Sequence, residues 1–195
     1  MQTLSPTTEL DAVNIMLSTI GESPVSSLAS DQGMVDVSLS RSILRGVSTQ
    51  VLEEGWHFNT EINWIMSPQA VTGEIAIPAN CIQIDTSGVS ATIDVAQRGQ
   101  RLYDRKNHTY SFDGPISVDM VILLDFTEMP QACRHYISVR AARVFQQRMV
   151  GSEVLQAFSR DDEMRARTAL CRLNAGTGDF NILTGSWSVA RVITR

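Results

Sequence analysis

The sequence predicts an α+β protein, a four-helix bundle built from both chain ends with an inserted, mainly antiparallel β-domain. Three observations lead there. Apolar residues recur at helical spacing up to about residue 54, alternate with polar ones from Trp56, and return to helical spacing at Pro130. Glycine or proline punctuates both changes, at Gly55 and Pro130. A chain of 195 residues, 43% hydrophobic and 19% charged, is also long enough for one or two cores. The implied segments are an N-terminal helical hairpin over 1–55, the β-domain over 56–128, a second helical hairpin over 129–175, and an extended arm over 176–195.

In "TELDAVNIMLSTI" the residues Leu10, Val13, Leu17 and Ile20 share a helical face. Thr8 and Asp11 have the spacing of a reciprocal N-terminal cap, and Gly21 with Pro24 stops the helix. A second helix is expected from about Met34 to Glu54, with Val37, Leu44, Val47 and Val51 on one stripe and Gly55 at its end.

After Gly55, "GWHFNTEINWIM" places Trp56, Phe58, Ile62, Trp64 and Met66 in alternation with His57, Asn59, Glu61 and Asn63. That is the pattern of a half-buried strand with an aromatic face. Short strands follow around Glu74 to Ile77, Cys81 to Asp85, Thr92 to Gln97 and Arg101 to Asp104. The turn "RKNHT" leads into "YSF", and "DGP" into a long apolar strand from Ile116 to Leu124.

The next helix, from Pro130 to the stop at Gly151, poses a question. At about 100° per residue, Cys133, Ile137, Ala141, Val144 and Phe145 fall on one face. Arg140 and Arg148 fall inside the same arc, and Arg134 lies near its edge. A last helix is expected from an N-cap at Ser152 to about Leu173. Beyond it, "NAGTGDFNILTGSWSVARVITR" is too rich in glycine and β-branched residues for a helix. Its Phe180, Ile182, Leu183, Trp187, Val189, Val192 and Ile193 are too many large apolar groups for a free disordered tail. An arm that docks is the reading left, either on its own β-region or on an adjacent protein, with Trp187 as anchor.

Composition excludes several classes. No run of 18 apolar residues occurs, so membrane insertion is not expected, and "MQTLSPTTEL" lacks the basic and apolar blocks of a signal peptide. Cys81, Cys133 and Cys171 are widely spaced and odd in number, as buried free thiols would be. A net charge of −5 argues against a nucleic-acid clamp, which gains affinity by neutralising phosphates. An acidic lining would instead suit a ring that merely lets DNA pass.

No catalytic constellation emerges. His57, His108 and His135 have no second ligand at metal spacing, so no metal or other cofactor is expected. "GTGDF" has no preceding strand and no GK[ST] after it. Asp161 to Glu163, among Arg160, Arg165 and Arg167, reads as a solvated helical face. A glycosidase needs two carboxyl groups about 5 to 9.5 Å apart. Asp119 and Asp125 lie on one strand face but roughly 20 Å apart at about 3.3 Å per residue. Cross-strand pairs among Asp94, Asp104, Asp113 and Glu128 stay open. The alternative function is therefore a carbohydrate-active protein, binding or hydrolysing glycans, that stacks sugar on Trp56 and Trp64. A core or domain interface is the plainer role for those tryptophans.

Several segments together carry a resemblance: "AVNIMLSTIGESPVSSL", "EEGWHFNTE", "YDRKNHTYSFDG", "DFTEMPQACRHYISVRAARVFQQRMVG" and the terminal "ITR". In collinear order over nearly the whole chain, they resemble the tail tubular protein A family, the head-to-tail adaptors or gatekeepers of short-tailed phages. The resemblance implies a non-enzymatic virion protein of the tail, assembled in the host bacterial cytoplasm. It implies a dodecameric ring between the portal protein and the tubular tail nozzle, with a tail fibre attached. Phage DNA would pass through the bore without sequence-specific binding.

A ring offers an answer to the arginine question, because a neighbour's carboxylate can meet an arginine that a monomer would have to bury. The planar guanidinium fork suits that role. Arg134, Arg140, Arg148, Trp187 and Arg195 are therefore the candidate assembly interface. For Arg140 a partner within the chain, such as Glu53, Glu54 or Asp161, stays equally open.

Overall fold

The computed structural model describes residues 5–29, 35–151 and 153–178, with side chains omitted for 153–159. Helices α1 (Glu9–Ser18) and α2 (Val35–Leu52) come first. Five strands follow: β1 (Thr60–Met66), β2 (Cys81–Thr86), β3 (Val95–Arg98), β4 (Arg101–Asp104) and β5 (Ile116–Ile122). Helices α3 (Gln131–Met149) and α4 (Glu153–Thr177) end the described chain. This is a mixed helix and sheet protein with antiparallel pairing, in two compact units. One unit comprises 1–44 and 130–195, the other 45–129, so the division falls inside α2.

In the helical unit α3 packs against both α1 and α4. Its buried stripe is Cys133, Ile137, Ala141 and Phe145, flanked by buried Tyr136 and Ala142. Val144 is only half-buried, so the apolar arc is narrower than the sequence pattern drew it. The cap of α1 is reciprocal: Thr8 Oγ1 accepts from Asp11 N at 3.1 Å, and Asp11 Oδ2 accepts from Thr8 N at 2.9 Å. Both Thr8 donors hold the Asp11 carboxyl below the usual carboxylate range, the hydroxyl more than the backbone amide. Pro130 precedes α3 as its N-cap, and Gly151 follows it in the left-handed region at φ +67°. Met34 and Ser152, expected at helix starts, lie outside the described residues.

In the β-unit three strands pair in the order β1-β5-β2, and β3 pairs with β4 as a separate hairpin. A core of Ile75, Leu102, Ile116, Val118 and Met120 joins the two sheets. The segments expected as strands at Glu74 to Ile77 and at "YSF" form only isolated bridges, Glu74 with Ser111 and Ala76 with Arg101. β5 ends at Ile122, so Asp125 lies beyond the strand that also holds Asp119.

The expected alternation from Trp56 to Met66 fails, and the cause is Asn59. Residues His57–Asn59 form a 3₁₀ turn before β1 begins. Asn59 is buried, with Oδ1 accepting from Trp56 N at 2.7 Å. Its Nδ2 donates to Leu52 O at 2.9 Å and to Ile122 O at 3.0 Å. One amide thus serves an end carbonyl of α2, the turn and the end of β5. Trp56 is buried beside it, its Nε1 donating to Val51 O at 2.7 Å. Gly55 permits the reversal at φ +70°, where an added Cβ would lie 3.4 Å from Val121 Cγ2. A bulge between Glu61 and Trp64, with Asn63 at φ +53°, then leaves Ile62, Trp64 and Ile65 all exposed.

Replacing Asn59 by Ala removes three hydrogen bonds to the backbone, at Trp56 N, Leu52 O and Ile122 O, although Leu52 O still accepts from Gly55 N at 3.1 Å. Stability of the β-unit should fall by about 3 kcal/mol or more, read from urea unfolding followed by Trp56 fluorescence. An unchanged midpoint would show that water replaces the amide.

Candidate assembly interface

The arginines of α3 divide into roles that helical spacing alone does not separate. Arg143 donates from Nε to Oε2 of Glu163 on α4. Arg140 Nε lies 3.9 Å from the other oxygen, Oε1, of the same carboxylate. Glu163 is thus not part of a solvated face, as the sequence pattern implied. It is a half-buried anion shared by two guanidinium groups across the α3–α4 seam.

Tyr136 forms the second knot of that seam. Its ring is 1% exposed, and its hydroxyl accepts from Arg140 Nη1 and from Arg167 Nη1, each at 3.1 Å. Arg167 also stands 5.8 Å from the ring centroid. Arg140, Arg143 and Arg167 are therefore engaged within the protomer. Within the helical unit the carboxylate that Arg140 reaches is Glu163, which the sequence reading did not name. Chain distance hid this choice, since the pair depends on the rotation of α4 against α3.

Arg134 anchors the N-terminal segment instead, donating from Nη1 to Thr7 O at 3.3 Å. Gln131 holds the same residue, accepting from Thr7 N at 2.8 Å and donating to Thr7 Oγ1 at 2.7 Å. Arg148 is exposed in the last turn of α3, where a cation also favours the helix dipole. Trp187 and Arg195 lie outside the described residues, as does the arm from 179 onward. Of the described candidates, Arg148 alone is exposed. Arg134 and Arg140 are half-buried.

Beside the seam a groove of about 480 Å³ opens between α1, α3 and α4. Ile15, Val139, Ala142 and Ala166 give it an apolar floor, with Asp162 and Arg165 on the rim. Ile15 remains 41% exposed there.

The chemistry-bearing residues elsewhere do not converge. His57, His108 and His135 are all exposed, and the described residues contain no group of three or more His, Cys, Asp or Glu able to hold a metal ion. Cys81 and Cys133 are buried thiols, but Cys171 is exposed, against expectation. Burial pushes the Cys81 thiol up. Asp94 pairs with Arg105 at 3.2 Å in the open.

Asp104 is buried and closes the turn after β4. Its Oδ1 accepts from Asn107 N and Lys106 N, each at 2.8 Å, and its Oδ2 from Asn107 Nδ2 at 2.8 Å. The Asn107 backbone N–H is the strongest influence, and it holds this carboxyl below the ordinary range despite burial. A general acid for glycoside cleavage needs the opposite shift. Trp56, being buried, cannot stack on a sugar; Trp64 is half exposed. No helix among the described residues is long and apolar enough to cross a membrane.

Two outcomes follow from these contacts. Arg143→Ala should lower stability by about 2 kcal/mol, a discounted value because Glu163 keeps some solvent. Arg140→Ala should cost less, about 1 kcal/mol, since Arg143 still neutralises Glu163 and Arg167 still reaches Tyr136. Thermal melting of both variants checks the order, and equal losses would contradict it. For Asp104 the folded pKa lies below the unfolded one, so its contribution is complete above about pH 4 and drains away as pH falls through the folded value. Asp104→Asn should flatten the acid limb of a stability-versus-pH curve, and an unaltered limb would contradict this.

Residues 10–180 match a family model described as tail tubular protein. Over 130 residues, covering 67% of this chain and 67% of the relative, the sequence is 29% identical to tail tubular protein A of Klebsiella phage KP34. The matched span takes in every described helix but the first residue of α1, and all five strands. This chain belongs to the tail tubular protein family, the structural proteins of a phage tail.

Proposed function

We propose that this protein is the ring-shaped adaptor between the phage portal and the tail nozzle, a dodecamer whose bore passes the genome and whose rim carries the tail fibre. In this reading the helices from both chain ends complete one four-helix bundle, and the β-unit is an insertion in it. Assembly takes place in the host cytoplasm, and the protein performs no catalysis of its own. The family match along residues 10–180 carries the proposal. Three features support it. Arg148 is exposed at the end of α3, the groove beside α1 has an apolar floor, and the segment beyond Gly178 is rich in large apolar residues. Such surfaces suit a protomer whose neighbours bury what a monomer leaves wet.

Size-exclusion chromatography with multi-angle light scattering tests the ring, on the protein alone and mixed with its portal. A mass of twelve protomers in either condition is expected. A monomer in both would overturn the proposal. Deleting residues 180–195 should leave the circular dichroism of the helices intact while weakening attachment to the portal, nozzle or sister subunits. Normal assembly of the truncated chain would remove the arm from the interface.

A further inference from the structure

The β-unit is strongly acidic, yet its cations are concentrated in one place. Between Arg45 and Met129 the chain carries eleven Asp and Glu against five Arg and Lys, a net charge of −6. Four of those five cations, Arg98, Arg101, Arg105 and Lys106, lie within nine residues on the β3–β4 hairpin and its following turn.

Register decides which way they face. Gln97 pairs with Leu102 and Val95 with Asp104, and Val95 and Leu102 belong to the core. The opposite face, formed by Ala96 with Tyr103 and by Arg98 with Arg101, therefore points outward. Two arginines stand directly opposite each other there, an arrangement that destabilises a strand pair. Aromatic stacking holds them in place. The Arg98 guanidinium lies 3.5 Å from the Tyr103 ring centroid, and that of Arg101 lies 4.4 Å from Tyr110. The two rings meet edge to face at 4.9 Å. Arg101 also reaches Glu74 at 2.7 Å, whereas Arg98 has no ion pair among the described residues.

The three-stranded sheet carries the mirror image of this feature. Asp85 of β2 stands directly opposite Asp119 of β5. Neighbouring Met120 and Ile84 face the core, so the aspartates face outward, next to the row holding Ile65 and Ser117. Each carboxylate has one oxygen on a backbone N–H, Asp85 with Thr86 and Asp119 with Asn63, both at 2.8 Å. Neither has a cation partner among the described residues. The turn at Glu53–Gly55 covers this face near Gln83 and Val121, but Asp85 and Ile65 are exposed.

We propose that the Arg98–Arg101 pair of one protomer docks on the Asp85–Asp119 pair of a second copy. The two like-charge pairs have opposite sign and the same cross-strand spacing of about 5 Å, so two guanidinium–carboxylate contacts form side by side. Each relieves a repulsion that the isolated protomer has to bear. The stacked tyrosines hold the arginines extended, which reduces the rotamer freedom lost on binding. Because the two patches differ, the contact is heterologous and can close into a ring. A nucleic acid fits the hairpin less well: the surrounding unit repels a polyanion, and both tyrosine faces are already capped by arginine. The inference rests on the ring reading and adds which surfaces meet.

Charge reversal tests it. Arg98→Glu and Asp85→Arg should each weaken self-association at least tenfold by sedimentation velocity, with portal present if assembly needs it. The two substitutions combined in one chain should recover most of the loss, with circular dichroism showing each variant folded. In a Cys171→Ser background, Arg98→Cys protomers mixed with Asp85→Cys protomers should be joined by a short bis-maleimide cross-linker that spans the gap the arginine filled, which holds the test open if Arg98→Glu unfolds. Single reversals that associate like the parent protein, or a combination that recovers nothing, overturn this contact while leaving the ring intact. Loss of binding to a short DNA duplex by Arg98→Glu, with self-association unchanged, would make the hairpin a nucleic-acid site and also overturn it. A parent protein that stays monomeric with and without portal removes the ring reading and this contact together.

Discussion

The β-unit depends on a single buried amide. Asn59 closes the end of α2, the turn at Trp56 and the last carbonyl of β5, at distances of 2.7 to 3.0 Å. A buried backbone group without a partner is costly, and two carbonyls and one N–H meet where a helix turns into a sheet. One side chain with both donor and acceptor capacity satisfies all of them. The position of β1 and the burial of Trp56 follow from that knot, and the bulge after Glu61 then exposes Trp64.

The helical unit solves a comparable problem with charge. Glu163 meets Arg143 and Arg140, and Tyr136 meets Arg140 and Arg167, so one seam uses three arginines, one carboxylate and one hydroxyl. Sharing a carboxylate between two cations gives both of its oxygens a guanidinium partner in a half-dry place. It also leaves an excess of positive charge along α3 and α4. Charge that is only partly balanced within a protomer belongs more naturally to a part of an assembly than to a solitary protein.

The same accounting applies to the β-unit, where fifteen of the chain's sixteen cations being arginine matters. Arginine can lie flat on tyrosine and still present donors outward, as Arg98 and Arg101 do. Lysine would gain less from the ring and could not form a planar fork. A structural protein of a phage tail assembles with other tail components, and rigid, directional contacts serve that purpose.

Much of the architecture was legible in the residues alone. The Thr8–Asp11 cap, the stops at Gly55 and Gly151, and the change from helical to strand period and back are local signals, set by backbone geometry within one or two turns. The absence of a nucleophile or phosphate motif was equally readable, and so was the collinear resemblance to tail tubular proteins. What the sequence could not decide was the fate of its polar residues. Asn59 and Glu163 both looked like solvent-facing positions, and they are buried and half-buried because partners distant in the chain, Ile122 and Arg143, satisfy them. Periodicity measures where a side chain points relative to its own element. Whether that direction meets water, a carbonyl or an arginine is decided by packing between elements, so the shared carboxylate of the α3–α4 seam and the paired charges of the β-unit became visible only in three dimensions.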